Sequence, residues 1–218
     1  VRPLQGQTIL LTRPRSQSAG ISARLERLGA RVLAAPAIRT VPPASWKGLD
    51  RALRGLSRYP ILVFTSANGV ESFFLRARKV LGREPDPPPR LCAIGPATAK
   101  ALREHGWRAA EVPPVHEASA LARAMGSVRG KDILLPRAEK AREILPRLLR
   151  RAGARVRVVK AYRTVPDPRG ARLIRAALAQ GTDWVTFTSA STVDHFFRAA
   201  GSRSARRFFE RSRTASIG

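Results

Sequence analysis

Three short stretches place hydroxyl groups, glycine or proline directly after an apolar run, which is typical of a turn from a strand into a helix. They are Thr65-Ser66-Ala67-Asn68, Gly95-Pro96-Ala97-Thr98 and Thr188-Ser189-Ala190-Ser191. The first N–H groups of a helix lack partners within the helix, and the helix dipole favours negative charge there. The turns therefore predict binding of an anion such as a carboxylate. An ordinary N-cap uses the same residue types, so both interpretations stay open.

Two arginines, Arg13 and Arg137, follow equivalent apolar runs, Ile9–Leu11 and Ile133–Leu135. A guanidinium binds a carboxylate through two parallel hydrogen bonds. At the carboxyl ends of parallel strands, where ligands of open α/β sheets bind, both side chains are candidate anion contacts. The alternative is a solvated arginine, because the chain is rich in this residue.

The two arginines are equivalent because the chain contains an internal repeat. Residues 6–42 align with residues 130–166 without a gap and share 16 identities in 37 positions. Further on, Phe64–Ala67 matches Phe187–Ala190, and Arg90–Gly95 matches Arg213–Gly218. The first copy continues for 34 residues beyond Gly95, whereas the second stops at Gly218. The repeat therefore predicts that this chain lacks the final helix and strand of its second copy, and that the intact product has about 250 residues.

Each copy alternates strand and helix signals, which predicts an α/β fold of the Rossmann or flavodoxin class with parallel sheets. Helices are expected between the strands, including one over Gln17–Leu28 and one over Glu139–Ala152 that Pro146 should break or kink. The proline-rich segment Glu84–Pro89 predicts a surface loop. Short apolar runs predict the strands Thr8–Leu11, Arg31–Ala35, Ile61–Phe64, Leu91–Ile94, Asp132–Leu135, Arg155–Lys160 and Trp184–Phe187.

The 218 residues carry a net charge of +26, which predicts attraction to a polyanion: nucleic acid, acidic lipid or a small molecule with several carboxylates. Codon bias toward Arg, Ala, Gly and Pro is an alternative source of this charge. The scattered arginines and only thirteen aromatic residues argue against a nucleic-acid-binding arm. The single Cys92 predicts a reducing, cytoplasmic compartment. The sequence has neither a membrane-length apolar segment nor a metal-ligand or nucleotide motif.

Four further pieces complete the pattern: Phe-Thr-Ser-Ala at 64–67, Ala-Ile-Gly-Pro-Ala-Thr-Ala-Lys-Ala-Leu at 93–102, Leu-Leu-Pro-Arg-Ala at 134–138 and Ala-Tyr-Arg-Thr-Val-Pro at 161–166. In this order they resemble the uroporphyrinogen-III synthase family. The resemblance implies two α/β domains joined by a two-stranded antiparallel linker, with the active site in the cleft between them. It implies that one domain holds 1–37 and 168–218, the other holds 44–161, and 38–43 and 162–167 are the linkers.

The resemblance also implies the reaction. Family members cyclise hydroxymethylbilane, which carries eight carboxylates, to uroporphyrinogen III with inversion of ring D and loss of water. They use no metal or organic cofactor, and a cytoplasmic monomer that binds neither nucleic acid nor membrane is expected. A chain without the turn that follows Gly218 is expected to be weakly active. The substrate-binding candidates are Arg13, Thr65, Ser66, Asn68, Gly95, Pro96, Thr98, Arg137, Thr188, Ser189 and Ser191.

Tyr162 matches the linker tyrosine that the family directs toward its cleft, and it is the candidate catalytic residue, as a weak acid or hydrogen-bond donor to the leaving hydroxyl. The alternative is an aromatic ring that only packs on a domain wall. Asn68 stands where some members have arginine, which puts a charged role there in doubt. Two other functions stay open: a non-catalytic two-lobed polyanion-binding module, alone or within a fusion protein, and a nucleic-acid-binding protein suggested by charge alone.

Overall fold

The computed structural model describes residues 2–14 and 18–216. The chain divides into two compact units, unit 1 (Val1–Thr40 with Val165–Gly218) and unit 2 (Val41–Thr164). Both passages from one unit to the other lie within strands, β3 (Ile38–Val41) and β7 (Arg155–Pro166). None of the helices in the described part of the chain is both long and apolar enough to span a bilayer.

Unit 1 contains a four-stranded sheet. Its strands are β1 (Thr8–Leu11), β2 (Arg31–Ala34), β8 (Trp184–Phe187) and β9 (Arg213–Ser216). They lie in the order β2-β1-β8-β9, with parallel pairing throughout. The first two of these strands in the chain belong to the first repeat and the last two to the second repeat. Ile9 pairs with Trp184 where the two repeats meet.

The second sheet has five strands and belongs to unit 2, except for most of β3 and the last two residues of β7. Besides β3 and β7, its strands are β4 (Ile61–Phe64), β5 (Arg90–Ala93) and β6 (Asp132–Ala138). They lie in the order β3-β7-β6-β4-β5. The pairs β7–β6, β6–β4 and β4–β5 are parallel. Under the repeat, β6 and β7 correspond to β1 and β2, and β4 and β5 correspond to β8 and β9, so the two sheets share one strand order.

Helices pack against both faces of each sheet because both faces are apolar. The helices are α1 (Ala19–Arg27), α2 (Lys47–Arg54), α3 (Ala67–Leu81), α4 (Pro96–Glu104), α5 (Ala118–Ala124), α6 (Ile144–Arg151), α7 (Pro168–Gln180), α8 (Ala190–Ala200) and α9 (Ser202–Phe209). In unit 2, α2, α3 and α4 join one core cluster, and α5 and α6 join the other. In unit 1, α7, α8 and α9 share a cluster, and α1 packs with the opposite face.

The structure confirms the α/β class with parallel sheets and the strands Thr8–Leu11, Ile61–Phe64 and Trp184–Phe187. The expected helix over 139–152 is wrong in its first part, since α6 begins only at Ile144. Pro146 then falls in the first turn, where its missing N–H has no helical partner to lose. Of the other predicted segments, Gln17, Ile217 and Gly218 lie outside the described residues.

The strand predicted over Arg155–Lys160 continues to Pro166. Exposed and half-buried residues alternate at its start, but the alternation fails near its middle, so periodicity does not indicate the continuation. Four helices that the sequence did not single out, α2, α5, α7 and α9, complete the layers around the two sheets.

Gly170, in the first turn of α7, tests how closely the chain packs in unit 1. A Cβ at this position would lie 1.7 Å from the carbonyl oxygen of Pro36. We expect Gly170→Ala to lower the free energy of unfolding by about 2 kcal/mol, because the helix must move away from that backbone. Urea unfolding measures the change.

Gly48→Ala is the matched control, because none of the described atoms outside the local helix backbone lies within 4 Å of a Cβ there. This substitution should stabilise the protein by about 0.5–1 kcal/mol through the lower entropy of the unfolded chain. An unchanged urea midpoint for Gly170→Ala would contradict the packing described here.

Candidate active site

The central crevice of unit 2 opens between β4 and β6. The helix after β4, α3, packs on one face of the sheet, and the helix after β6, α6, packs on the other. Ligands of open α/β sheets bind at the carboxyl ends of two neighbouring strands whose following helices lie on opposite faces of the sheet. A cavity of about 550 Å³ lies here. Its polar lining comes from Thr65, His116, Glu117, Ser119, Arg137 and Arg142, and its apolar lining includes Ile94, Leu135 and Leu145.

The turn after β4 is built around Ser66. Its extended backbone makes it the N-cap of α3, and its Oγ accepts a hydrogen bond from the N–H of Gly69 at 3.1 Å. A Cβ on Gly69 would lie 3.4 Å from the carbonyl oxygen of Pro136, so α3 begins close against β6. The Ser66 Oγ also lies 2.9 Å from the Tyr162 hydroxyl oxygen. Ser66 thus joins a helix cap to the candidate catalytic tyrosine.

Tyr162 reaches Ser66 because of an irregularity in the pairing of β6 with β7. Arg137 pairs with Lys160, but Ala138 pairs with Tyr162, so one residue of β7 is left over. Such a bulge redirects the side chains that follow it. Ala161 and Tyr162 therefore both join the core cluster on the α3 side, whereas strict alternation would place Tyr162 with the exposed Lys160.

The Tyr162 ring is buried, with 8% of the residue exposed. Burial raises the pKa of its phenol above the ordinary value, and the hydrogen bond with Ser66 opposes this only in part. The hydroxyl is therefore protonated over the whole neutral range and is able to donate a hydrogen bond. The ring also packs in the core, so packing and donation of a hydrogen bond are compatible roles for this side chain.

Arg137 is the next-to-last residue of β6 and therefore lies in the crevice at the carboxyl end of that strand. Only 7% of the residue is exposed, so the alternative of a solvated arginine is wrong here. Its Nη1 donates to the carbonyl oxygen of Arg142 at 2.8 Å, and its Nη2 donates to the Glu143 carboxylate. Burial, with a smaller contribution from the nearby Arg150, lowers its pKa.

The turn after β5 contributes less to the cavity than the sequence suggested. Gly95 is the N-cap of α4, and Pro96 occupies its first position. A Cβ on Gly95 would lie 3.0 Å from the ring of His116, so this glycine makes room for that imidazole. Thr98 is buried in α4 with 3% exposure, and neither it nor Pro96 lines the cavity. Asn68 is half-buried in the first turn of α3.

The carboxyl ends of β1 and β8 in unit 1 have the same arrangement of residue types. Arg13 follows β1, and Thr188 follows β8, the strand beside it. Ser189 is the N-cap of α8, where it forms a capping box with Thr192. The Oγ of Ser191 lies 3.0 Å from that of Ser189. In both units, therefore, a strand that ends near an arginine lies beside a strand whose following helix begins at a serine N-cap.

Residues 19–218 match the family model described as uroporphyrinogen-III synthase HemD. The chain belongs to the uroporphyrinogen-III synthase family. The uroporphyrinogen-III synthase of Synechococcus elongatus is 34% identical over 89% of this chain and 75% of that protein. The corresponding enzyme of Chlorobaculum parvum is 29% identical over 90% of this chain and 80% of its own length.

The fold of this chain is similar to that of solved structures from the same family. A crystal structure of a mutant uroporphyrinogen III synthase from Thermus thermophilus has a TM-score of 0.68 and 24% identity, and the match covers 98% of this chain and 85% of that one. At this identity the similarity establishes the fold alone. The roles of individual residues in the two edges stay predictions.

The structure brings together two pairs of predicted residues, Tyr162 with Ser66 and Thr65 with Arg137. Sequence reasoning missed His116, Ser119 and Arg142, which line the same cavity. No motif marks these three residues, because they come from loops and helix starts that only the fold brings to the crevice. Glu143 was also missed, because its spacing of six residues from Arg137 matches neither of the local pairings, i,i+3 and i,i+4, by which a sequence indicates an ion pair.

The hydrogen bond between Ser66 and Tyr162 predicts two separate effects of Ser66→Ala. Loss of the cap should lower the free energy of unfolding by about 1 kcal/mol. Loss of the bond to the phenol should raise the pKa of Tyr162 further, because that bond favours the charged form. Denaturant unfolding and ultraviolet titration of the phenols measure the two effects.

Ser189→Ala is the matched control, since it removes a cap from α8 in unit 1. It should cost a similar free energy and leave the tyrosine titration unchanged. A tyrosine titration that Ser66→Ala does not alter would contradict the hydrogen bond.

Because burial raises the pKa of Tyr162, the stability that comes from its protonated form should fall as the pH rises above about 10.

Proposed function

We propose that the chain catalyses the reaction of its family, closure of hydroxymethylbilane to uroporphyrinogen III with inversion of ring D and loss of water. The observation that supports this most directly is the repeated design of the two edges, an arginine beside a hydroxyl-capped helix start. A substrate with eight carboxylates needs many fixed donors, and these edges supply them. A purely non-catalytic module is not favoured by this family membership.

In this proposal the substrate-binding groups are Arg13, Thr65, Ser66, Asn68, Gly95, Pro96, Thr98, Arg137, Thr188, Ser189 and Ser191. Their contributions differ. The turns offer backbone N–H groups, and Thr98, whose side chain is buried, contributes only through the first turn of α4. Arg137 offers charge from within the crevice. Holding the flexible bilane in one fold is the main catalytic effect, since the two ends that react must be brought together.

Tyr162 assists the departure of the hydroxyl group. Its protonated phenol donates a hydrogen bond to the hydroxymethyl oxygen as the C–O bond breaks, and the hydroxyl group leaves as water with the N–H proton of its own pyrrole ring. Ser66, whose Oγ lies 2.9 Å from the phenol oxygen, orients the phenol. The freed methylene carbon bonds to the ring D carbon that already carries the bridge, which gives a spiro intermediate. That bridge bond then breaks and re-forms at the free α carbon of ring D, which loses its proton, so ring D is inverted. No net oxidation or reduction takes place, and water is the only other product.

We also propose domains of 1–37 with 168–218 and of 44–161, joined by 38–43 and 162–167 as linkers. The passages between the compact units at Thr40 to Val41 and at Thr164 to Val165 support these bounds. The adjacency of β3 and β7 in one sheet supports a two-stranded linker. The Nε of Arg163 donates to the carbonyl oxygen of Pro42 at 3.1 Å and joins the two segments.

Incubation of the protein with freshly made hydroxymethylbilane tests the activity. Chromatography of the oxidised products is expected to show isomer III. Isomer I alone, which forms spontaneously, would reject the proposal, because it would show that ring D is not inverted.

Tyr162→Phe tests the role of the phenol. The variant keeps the ring in the core and keeps Ser66 on the N–H of Gly69, so we expect an unchanged fold. Turnover should fall about tenfold to a hundredfold, the range for loss of one positioned proton donor. Tyr59→Phe removes the other tyrosine hydroxyl and should leave turnover unchanged. Full activity of Tyr162→Phe would show that the phenol takes no part.

A further inference from the structure

The guanidinium of Arg137 is only partly used by the protein. Its Nη1 donates to the Arg142 carbonyl oxygen and its Nη2 donates to Glu143. Within the described residues, its buried Nε has no hydrogen-bond partner. Nε and Nη2 form one side of the guanidinium fork, the side that binds both oxygens of a carboxylate. Glu143 therefore satisfies one donor of a two-donor site.

Glu143 is positioned to leave this contact at low cost. Its side chain is 45% exposed, whereas that of Arg137 is 9% exposed. It is the N-cap residue of α6, but its side chain makes no capping hydrogen bond. Residues 139–143 before α6 form neither helix nor strand. An exposed carboxylate on such a segment is readily solvated when another anion replaces it.

The cavity beside Arg137 has the size and chemistry for a ring that carries acidic side chains. Its volume of about 550 Å³ lies within the range of small-molecule pockets. Ile94, Leu135 and Leu145 give it apolar walls, and Thr65 and Ser119 add hydroxyl groups at its edge. A single pyrrole with its carboxylate arms matches this combination.

We propose that Glu143 occupies the place of a substrate carboxylate on Arg137, and that one acidic arm of a substrate pyrrole displaces it on binding. This inference rests on the proposed function and names the contact that selects the substrate in unit 2. The incoming carboxylate binds Nε and Nη2 together, and the carboxylate of Glu143 moves into solvent. No covalent bond changes in this exchange. Glu143 thereby selects ligands that are able to engage both donors.

Calorimetric binding of porphobilinogen, a single pyrrole with one acetate and one propionate, tests the exchange without any turnover. Glu143→Gln removes the competing charge and should lower the Kd about two- to fivefold, the effect expected from an exposed ion pair. Arg137→Gln should raise the Kd about tenfold or more. In the Arg137→Gln background, Glu143→Gln should have no further effect.

Glu84→Gln is the matched control. Glu84 is likewise a half-exposed carboxylate paired with an arginine, Arg78, but it does not line this cavity. It changes the net charge equally and should leave the Kd nearly unchanged. An equal gain for Glu84→Gln, no gain for Glu143→Gln, or undiminished binding by Arg137→Gln would overturn the exchange.

The isomer assay with hydroxymethylbilane distinguishes this inference from the proposed function. In an active enzyme, Glu143→Gln should lower KM more than it changes kcat, because the exchange belongs to binding. If only isomer I forms while the porphobilinogen affinities follow the expected order, the synthase activity is wrong and the carboxylate exchange stands. If isomer III forms and the affinities do not follow that order, the exchange is wrong.

Discussion

The handedness of parallel strand connections determines where a crevice opens at the edge of each sheet of this protein. A strand that reaches a parallel neighbour through a helix does so by a right-handed crossover. In unit 2 the chain leaves β6 toward β7 on one side and leaves β4 toward β5 on the other. The intervening helices must therefore cover opposite faces, and a crevice opens between the ends of β4 and β6. Unit 1 has the same order of strands and the same divergence between β1 and β8.

The chemistry available in this crevice follows from what lies at the two strand ends. The end of β4 supplies Ser66, whose hydroxyl both starts a helix and orients the Tyr162 phenol. The end of β6 supplies Arg137, a charge held in a mostly buried position by one carbonyl and one carboxylate. Capping and ligand binding are compatible roles, because a capped helix still has free N–H groups in its first turn.

Much of the fold could be predicted from the sequence because its central strands are short, apolar and repeated. Ile61–Phe64 is fully buried, and its four apolar residues are typical of a strand covered on both faces. The order of the strands depends on long-range pairing, such as Ile9 with Trp184, which no local pattern contains. The bulge that turns Tyr162 toward Ser66 is likewise a property of the pairing of β6 with β7. The start of α6 at Ile144 depends on how the chain turns after β6.

The candidate site likewise combines features that local sequence predicts with features that depend on the completed fold. The capping serines were predictable because each follows a strand and begins a helix, and both serve as caps in the structure. The burial of Arg137 and its pairing with Glu143 were not, since both require the completed cavity. His116 reaches Gly95 from a loop twenty-one residues further along the chain.

Hydrogen exchange at the start of α3 tests most directly whether the crevice of unit 2 binds the tetrapyrrole. The central prediction concerns the backbone amides of residues 66–69, which lie at the carboxyl end of β4. Addition of uroporphyrinogen III should slow exchange at these amides and leave residues 126–131, which precede β6 at the amino ends of the parallel strands, unchanged. Slower exchange at 126–131 with no change at 66–69 would contradict the account.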